Sequence, residues 1–174
     1  EQRFFSDASG LDGYMRDLQG FVIKPNGLTG GKGVKVLGDH FHSRTEGLDY
    51  CNELFSSSGD GLLIEEKLDG EEFSIQSFCD GTNIAHSPPV QDHKRAHEGD
   101  KGPNTGGIGS YSCADHCLPF LSPQTVREAQ SVNELVFHSL MEALGEPYRG
   151  ILYGNFMSTG NGLKVIEYNA RFGD

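Results

Sequence analysis

No stretch of this 174-residue chain approaches the roughly 18 consecutive apolar residues that a membrane-spanning helix requires. The first residues, EQRFFSDASG, carry no signal-peptide pattern, so the expectation is a cytoplasmic protein with no membrane partner. Basic residues are scarce: 14 Lys and Arg stand against 25 Asp and Glu, for a net charge of -11. A nucleic-acid backbone as main partner would call for a basic stripe, and that deficit argues against one. Any anion must be met locally. Only four cysteines are present, at 51, 79, 113 and 117, too few for a dense disulfide framework, and reduced thiols are expected. Cys113 and Cys117, with Asp115 and His116 between and His93 and His97 upstream, offer zinc-ligand chemistry, but a C-x-x-x-C pair without a second close pair is far from the usual structural spacing. Also missing is any Ser-His-Asp or Cys-His arrangement for nucleophilic catalysis.

What is present suffices for a real core. Hydrophobic residues make up 36% of the chain, with 11 Phe and 6 Tyr, enough for one domain or two small lobes. A helix is expected near Ser6 to Gln19, where Leu11, Tyr14, Met15 and Leu18 share a face. Phe21 to Lys24 then reads as a strand, Pro25 to Gly33 as a glycine loop and Val34 to Leu37 as the returning strand. A further helix is predicted over Ser43 to Phe55, with strands at Leu62 to Glu65 and Glu72 to Cys79, the second turned at Asp80-Gly81. The longest helix is the best marked. Ser122 suits its N-cap, Pro123 its first turn and Gly145 its end, while Val126, Ala129, Val132, Val136, Leu140 and Leu144 repeat at helical spacing. Strands at Gly150 to Met157 and Leu163 to Asn169 close the chain around Gly160-Asn161-Gly162.

Four segments carry chemistry. Between Phe21 and Gly38 stand three lysines and no acid, so Lys24 and Lys32 make a local positive centre beside glycine N–H groups that can approach oxygens closely. The pattern fails as a Walker loop, because Asn26 replaces its first glycine, Gly33 its Ser or Thr, and a strand follows in place of a helix. A solvated glycine hairpin is the other reading of it. Glu65, Glu66, Lys67 and Leu68, then Asp69 to Glu72, form an acidic connection between strands, either a solvated edge or a hinge that meets a base and ribose hydroxyls. Gln91 to Gly109, QDHKRAHEGDKGPNTGGIG, has no amphipathic period and reads as a long loop of turns, either a disordered surface excursion or a loop whose Asp92, His93, Lys94 and Arg95 could orient and neutralise a phosphorylated substrate. In the last strand Glu167 and Asn169 fall on one face, two hard oxygen donors suited to Mg²⁺, or alternatively the polar face of an edge strand.

Together the segments VIKPNGLTGGKGVKV, LLIEEKLDGEEFSIQSF, PPVQDHKRAHEGDKGPNTGGIGSY and GILYGNFM through VIEYNARFGD resemble the ATP-grasp ligases and, within them, the phosphoribosylamine-glycine ligase family, also called glycinamide ribonucleotide synthetase. The resemblance implies an α+β ATP-grasp fold, two subdomains with antiparallel sheets clasping ATP between them: residues 1–67 as the small subdomain and 68–174 as the large one, with a substrate loop at 91–109 and a metal strand at 163–169. It implies that Lys24, Gly27, Gly30, Gly31, Lys32 and Gly33 meet ATP phosphates under a closing lid, that Glu65, Glu66, Lys67 and Leu68 hold adenine, and that Glu72 binds the ribose. Asp92, Lys94, Arg95, Thr105, Gly106, Gly107 and Arg171 would face substrate, with Lys32, Arg171, Asp92 and Lys94 nearest the chemistry. Glu167 and Asn169 would bind Mg²⁺ or Mn²⁺. The implied substrates are glycine and 5-phosphoribosylamine, and a monomer or dimer is expected of the full enzyme. Asn26 and Thr29 stand where the family more often has Asp and Ala. The family's enzymes extend beyond this span on both sides, so the chain is expected to be an ATP-binding fragment, inactive alone. An ATP-grasp ligase of other substrate specificity and a non-catalytic nucleotide-binding module are the alternatives.

Overall fold

The computed structural model describes residues 1–27, 33–57, 60–99 and 101–173, with backbone alone for 103, 104 and 106. The chain divides into two compact units, Glu1–Leu68 and Asp69–Asp174.

The first unit is a four-stranded sheet in the order β1-β4-β2-β3, with β1 at Gln2–Phe5, β2 at Phe21–Pro25, β3 at Lys35–Val36 and β4 at Leu62–Glu66. Strand β2 pairs antiparallel with both β3 and β4, so the glycine segment does connect two paired strands, although residues 28–32 of it lie outside the described residues. Two helices, α1 at Leu11–Asp17 and α2 at Arg44–Ser57, complete the unit. The buried residues Phe5, Leu11, Met15, Phe21, Ile23, Cys51, Leu62 and Ile64 form one core, which the alternation of β2 and β4 and the spacing of α1 would place on a single side. Helix α1 is shorter than the pattern predicts. Residues 6–10 are instead bends and turns behind β1, a strand whose four residues are too short to signal themselves.

The second unit is built on a four-stranded antiparallel sheet in the order β10-β9-β5-β6, with β5 at Gly70–Asp80, β6 at Ile84–His86, β9 at Arg149–Thr159 and β10 at Gly162–Asn169. Helix α3, Pro123–Leu144, starts where its cap predicts: the Ser122 hydroxyl accepts the Thr125 N–H at 3.0 Å, and Gly145 ends it at φ 69°. The helix packs on one sheet face, where Phe73, Ile75, Ala129, Phe156, Leu118 and Leu121 are buried, with Phe73 and Phe156 stacked at 5.6 Å. Polar groups inside this layer are matched to one another. Buried Asn133 donates to Ser77 Oγ at 2.9 Å and accepts from the Tyr168 hydroxyl at 2.9 Å. Gly154 is required beneath it, since a Cβ there would lie 2.4 Å from Asn133 Oδ1.

The segment expected to be a long loop is a hairpin. Strands β7, Gln91–His97, and β8, Lys101–Tyr111, pair antiparallel as a separate two-stranded sheet. Alternation is absent because the ladder is irregular, with register shifts between His93 and Arg95 and between Arg95 and His97. Side chains replace apolar pairing. The Tyr111 hydroxyl donates to Gln91 Oε1 at 2.7 Å, its ring stacks on His93 at 5.7 Å, and the Thr105 hydroxyl donates to the Lys94 carbonyl at 2.8 Å. Gly102 permits the return at φ 84°, where a Cβ would meet the His97 ring at 2.4 Å.

Candidate functional site

In the second unit, the sheet face opposite α3 collects the polar residues. Antiparallel partners present side chains to the same face, and the pairing aligns Gln76, Tyr153 and Asn169 in one row and Ser74, Asn155 and Glu167 in the next. Glu72, two residues before Ser74, belongs to the same face. A β-bulge decides that Glu167 and Asn169 are there at all. On β10, Val165 pairs with Phe156 and Glu167 with Asn155, so Ile166 is an extra residue. Without it Glu167 and Asn169 would continue on the side of Val165 and Leu163, and Leu163 packs into the α3 core. With it, Tyr168 turns to the core instead, where its hydroxyl holds Asn133.

On this face the side chains form a connected network. The Asn169 amide donates to Glu167 Oε1 at 3.2 Å, consistent with their shared direction. Glu72 Oε1 accepts from the Lys94 ammonium, with which it also forms an ion pair, and from Asn155 Nδ2 at 2.9 Å. The Tyr153 hydroxyl donates to Asp92 Oδ2 at 2.6 Å. Burial and then the bond to Asp92 push the Tyr153 hydroxyl far above its usual range, which keeps it a protonated donor. Lys94 and Asp92 are thereby fastened from the hairpin onto β5 and β9. Arg95 bonds the Gly102 carbonyl at 3.0 Å, and Gly107 N–H the Thr105 hydroxyl at 3.1 Å, both contacts within the hairpin. Arg171 is exposed and donates to the Phe172 carbonyl at 2.7 Å, with no bond to the network among those described.

In the first unit, Lys24 on β2 pairs with Glu65 on β4 at 2.8 Å, both largely shielded. The Glu66 N–H donates to the Glu1 carbonyl at 2.9 Å. The Lys67 N–H donates to the Gly20 carbonyl at 2.9 Å and its ammonium to the Leu37 carbonyl at 3.1 Å, which ties the acidic connection to the ends of β2 and β3. Gly33, at the far side of the glycine segment, accepts from the Tyr50 hydroxyl at 2.8 Å, and Gly27 adopts φ 121°. Gly30, Gly31 and Lys32 lie outside the described residues. All four cysteines are free, and among the described residues no group of three or more His, Cys, Asp or Glu is placed to hold a metal, so the zinc arrangement around Cys113 and Cys117 is not formed.

Tyr153 and Asn155 escaped the sequence reading. Their signal is a pair of polar residues two apart within GILYGNFM, an otherwise apolar strand in which buried polar groups must find partners.

The model of the phosphoribosylglycinamide synthetase ATP-grasp (A) domain family matches residues 1–174. The chain belongs to this family. A curated phosphoribosylamine-glycine ligase of Methanococcoides burtonii is 50% identical over 172 residues, covering 99% of this chain and 39% of that protein. One from Methanobrevibacter smithii is 51% identical over 167 residues, covering 94% of the chain and 37% of the relative. The crystal structure of phosphoribosylamine-glycine ligase from Thermotoga maritima superposes with a TM-score of 0.79 at 31% identity, covering all of this chain and 44% of that one. The fold is thus the α+β ATP-grasp fold of the family. The chain spans about two-fifths of the length of the curated relatives it matches.

Proposed function

We propose that this chain is the nucleotide-binding part of a phosphoribosylamine-glycine ligase. In that reaction a glycine carboxylate oxygen takes the γ-phosphoryl group of ATP, releasing ADP. The amine of 5-phosphoribosylamine then attacks the carbonyl carbon of glycyl phosphate, losing a proton as phosphate leaves, and gives glycinamide ribonucleotide in de novo purine biosynthesis. The supporting observation is the polar face of the second unit, where the Ile166 bulge aligns Glu167 and Asn169 beside Asn155, Tyr153 and Glu72. The names of relatives about half identical over nearly the whole chain supply the substrate class.

Donor chemistry supports the metal and phosphate roles, and the family resemblance supplies the others. Glu167 and Asn169 fit a divalent cation: the Asn169 amide nitrogen is turned to Glu167 Oε1, which leaves one oxygen on each side chain, the hard donors such an ion takes. Bound there, Mg²⁺, or Mn²⁺ with the same donors, neutralises nucleotide phosphate charge. Lys24 serves a phosphate, held in place by Glu65, with Lys32 and the glycines at 27, 30, 31 and 33 as a closing lid. Glu65 to Leu68 form the adenine hinge and Glu72 the ribose acceptor. Asp92, Lys94, Arg95, the Thr105 to Gly107 turn and Arg171 face glycine or the phosphosugar amine. Phosphoryl transfer between anions needs positive charge and positioning more than a nucleophilic side chain. Exclusion of water would protect an acyl phosphate that hydrolyses readily.

Calorimetric titration with ATP and Mg²⁺, beside a Lys24→Ala, Glu167→Ala double variant, tests the reading. Saturable, metal-dependent binding that disappears in the variant is expected. Equal binding by both proteins would remove the proposed phosphate and metal roles.

A further inference from the structure

Asn155 is 2% exposed in the middle of β9, a position where an apolar side chain would ordinarily cost less. Its amide is held in one direction, with Nδ2 donating to Glu72 Oε1 at 2.9 Å. Lys94 on β7 takes the same oxygen from the hairpin side. Glu72 is therefore gripped at Oε1 by two donors from two strands, and neither uses Oε2. A carboxylate fixed in this way presents a single oriented acceptor. The side-chain entropy that a glutamate would lose on binding is already spent, so a hydroxyl meeting Oε2 gains most of the hydrogen bond.

Resting on the reading of Glu72 as the ribose acceptor, we propose that Asn155 is a positioning residue for sugar selection: it holds Glu72 so that the site favours a ribonucleotide over its 2′-deoxy counterpart. Asn155 touches no nucleotide in this role. It acts through Glu72, and the pairing that puts it directly opposite Glu167 keeps the ribose acceptor and the metal pair on one rigid strand set. Lys94 cannot replace it. Lys94 approaches on a hairpin with an irregular ladder, whereas β9 is paired on both sides.

The test compares calorimetric affinities of the chain for ATP and 2′-deoxy-ATP with Mg²⁺, in the unmodified protein, Asn155→Leu and Glu72→Gln. Asn155→Leu is expected to weaken ATP about 5- to 10-fold, the scale of one hydrogen bond, with little effect on 2′-deoxy-ATP. The ratio of the two affinities then falls to that of Glu72→Gln. A purely structural role would weaken both nucleotides together, and that result overturns the proposal. So does an unchanged ratio in Asn155→Leu beside a collapsed one in Glu72→Gln, which would leave the ribose reading standing. If Glu72→Gln keeps the full ratio, the ribose reading itself fails and the proposal with it. Should Asn155→Leu not fold, as judged by circular dichroism, Asn155→Ala removes the donor in a smaller side chain and must show the same collapse.

Discussion

Tyr153 illustrates how one hydroxyl can join two sheets. Its ring is 5% exposed in β9, and its oxygen reaches Asp92 on β7 at 2.6 Å. Tyr153→Phe keeps the packing and deletes the donor, leaving Asp92 without it. The expected cost is about 1.5 kcal/mol, the scale of a hydrogen bond to a charged acceptor, read as a lower denaturant midpoint at unchanged slope. Faster hydrogen exchange should be confined to residues 91–111, and uniform exchange changes across the unit would contradict the link. Asp80 supplies a pH test. It accepts the N–H groups of Asn83 and Thr82 at 2.6 and 2.8 Å and the Asn83 amide at 3.1 Å, and these bonds, with Arg149 nearby, lower its pKa from 3.8 to about 2. A depressed carboxyl pKa stabilises the folded state above the unfolded value and loses that contribution as pH falls through the folded one. The β5–β6 turn should therefore weaken between about pH 4 and pH 2. Asp80→Asn, which does not titrate, should show a flatter dependence of midpoint on pH over that window. At this scale the sequence was legible where strand alternation sets direction, as in the shared face of Glu167 and Asn169, and opaque where partners come from far along the chain, as with Asn155 and Glu72.

Elements differ in how openly they announce themselves. Helix α3 was readable end to end because its cap, its Pro and its closing Gly are local signals, and β9 and β10 because a glycine turn separates two strand-like runs. Hairpin β7–β8 was hidden, since its pairing depends on Tyr111, Thr105 and two register shifts and not on alternating apolar residues. The bulge at Ile166 was hidden too. Period two shows that Glu167 and Asn169 share a face but not which face, and one extra residue reverses the answer. Deleting Ile166 should turn the pair toward the α3 core or force the β9–β10 register to slip. Either way, metal-dependent nucleotide binding is expected to vanish in calorimetry. Ile166→Val preserves the residue count and should bind normally. Retained binding after deletion would show that the bulge does not aim the pair.

For the whole molecule, charge and extent set the terms. A net charge of -11 and a pI near 5.0 leave a long-range field that repels polyphosphates, so the proposed nucleotide binding rests on local groups such as Lys24. No helix among the described residues is long and apolar enough to cross a membrane. The family model is matched over residues 1–174, while the chain covers 39% of the Methanococcoides burtonii relative. The 174-residue chain is expected to bind ATP with Mg²⁺ saturably yet release no ADP in response to glycine plus 5-phosphoribosylamine. A chimera in which it replaces the matching 44% of the Thermotoga maritima ligase supplies the remaining length. Glycine-dependent ADP release by that chimera, lost again on Glu167→Ala, would locate the metal-binding step in this chain. A chimera that folds and binds ATP but responds to a different acid across a carboxylate panel would keep the ATP-grasp chemistry and reassign the substrate proposed for Asp92, Lys94 and Arg95.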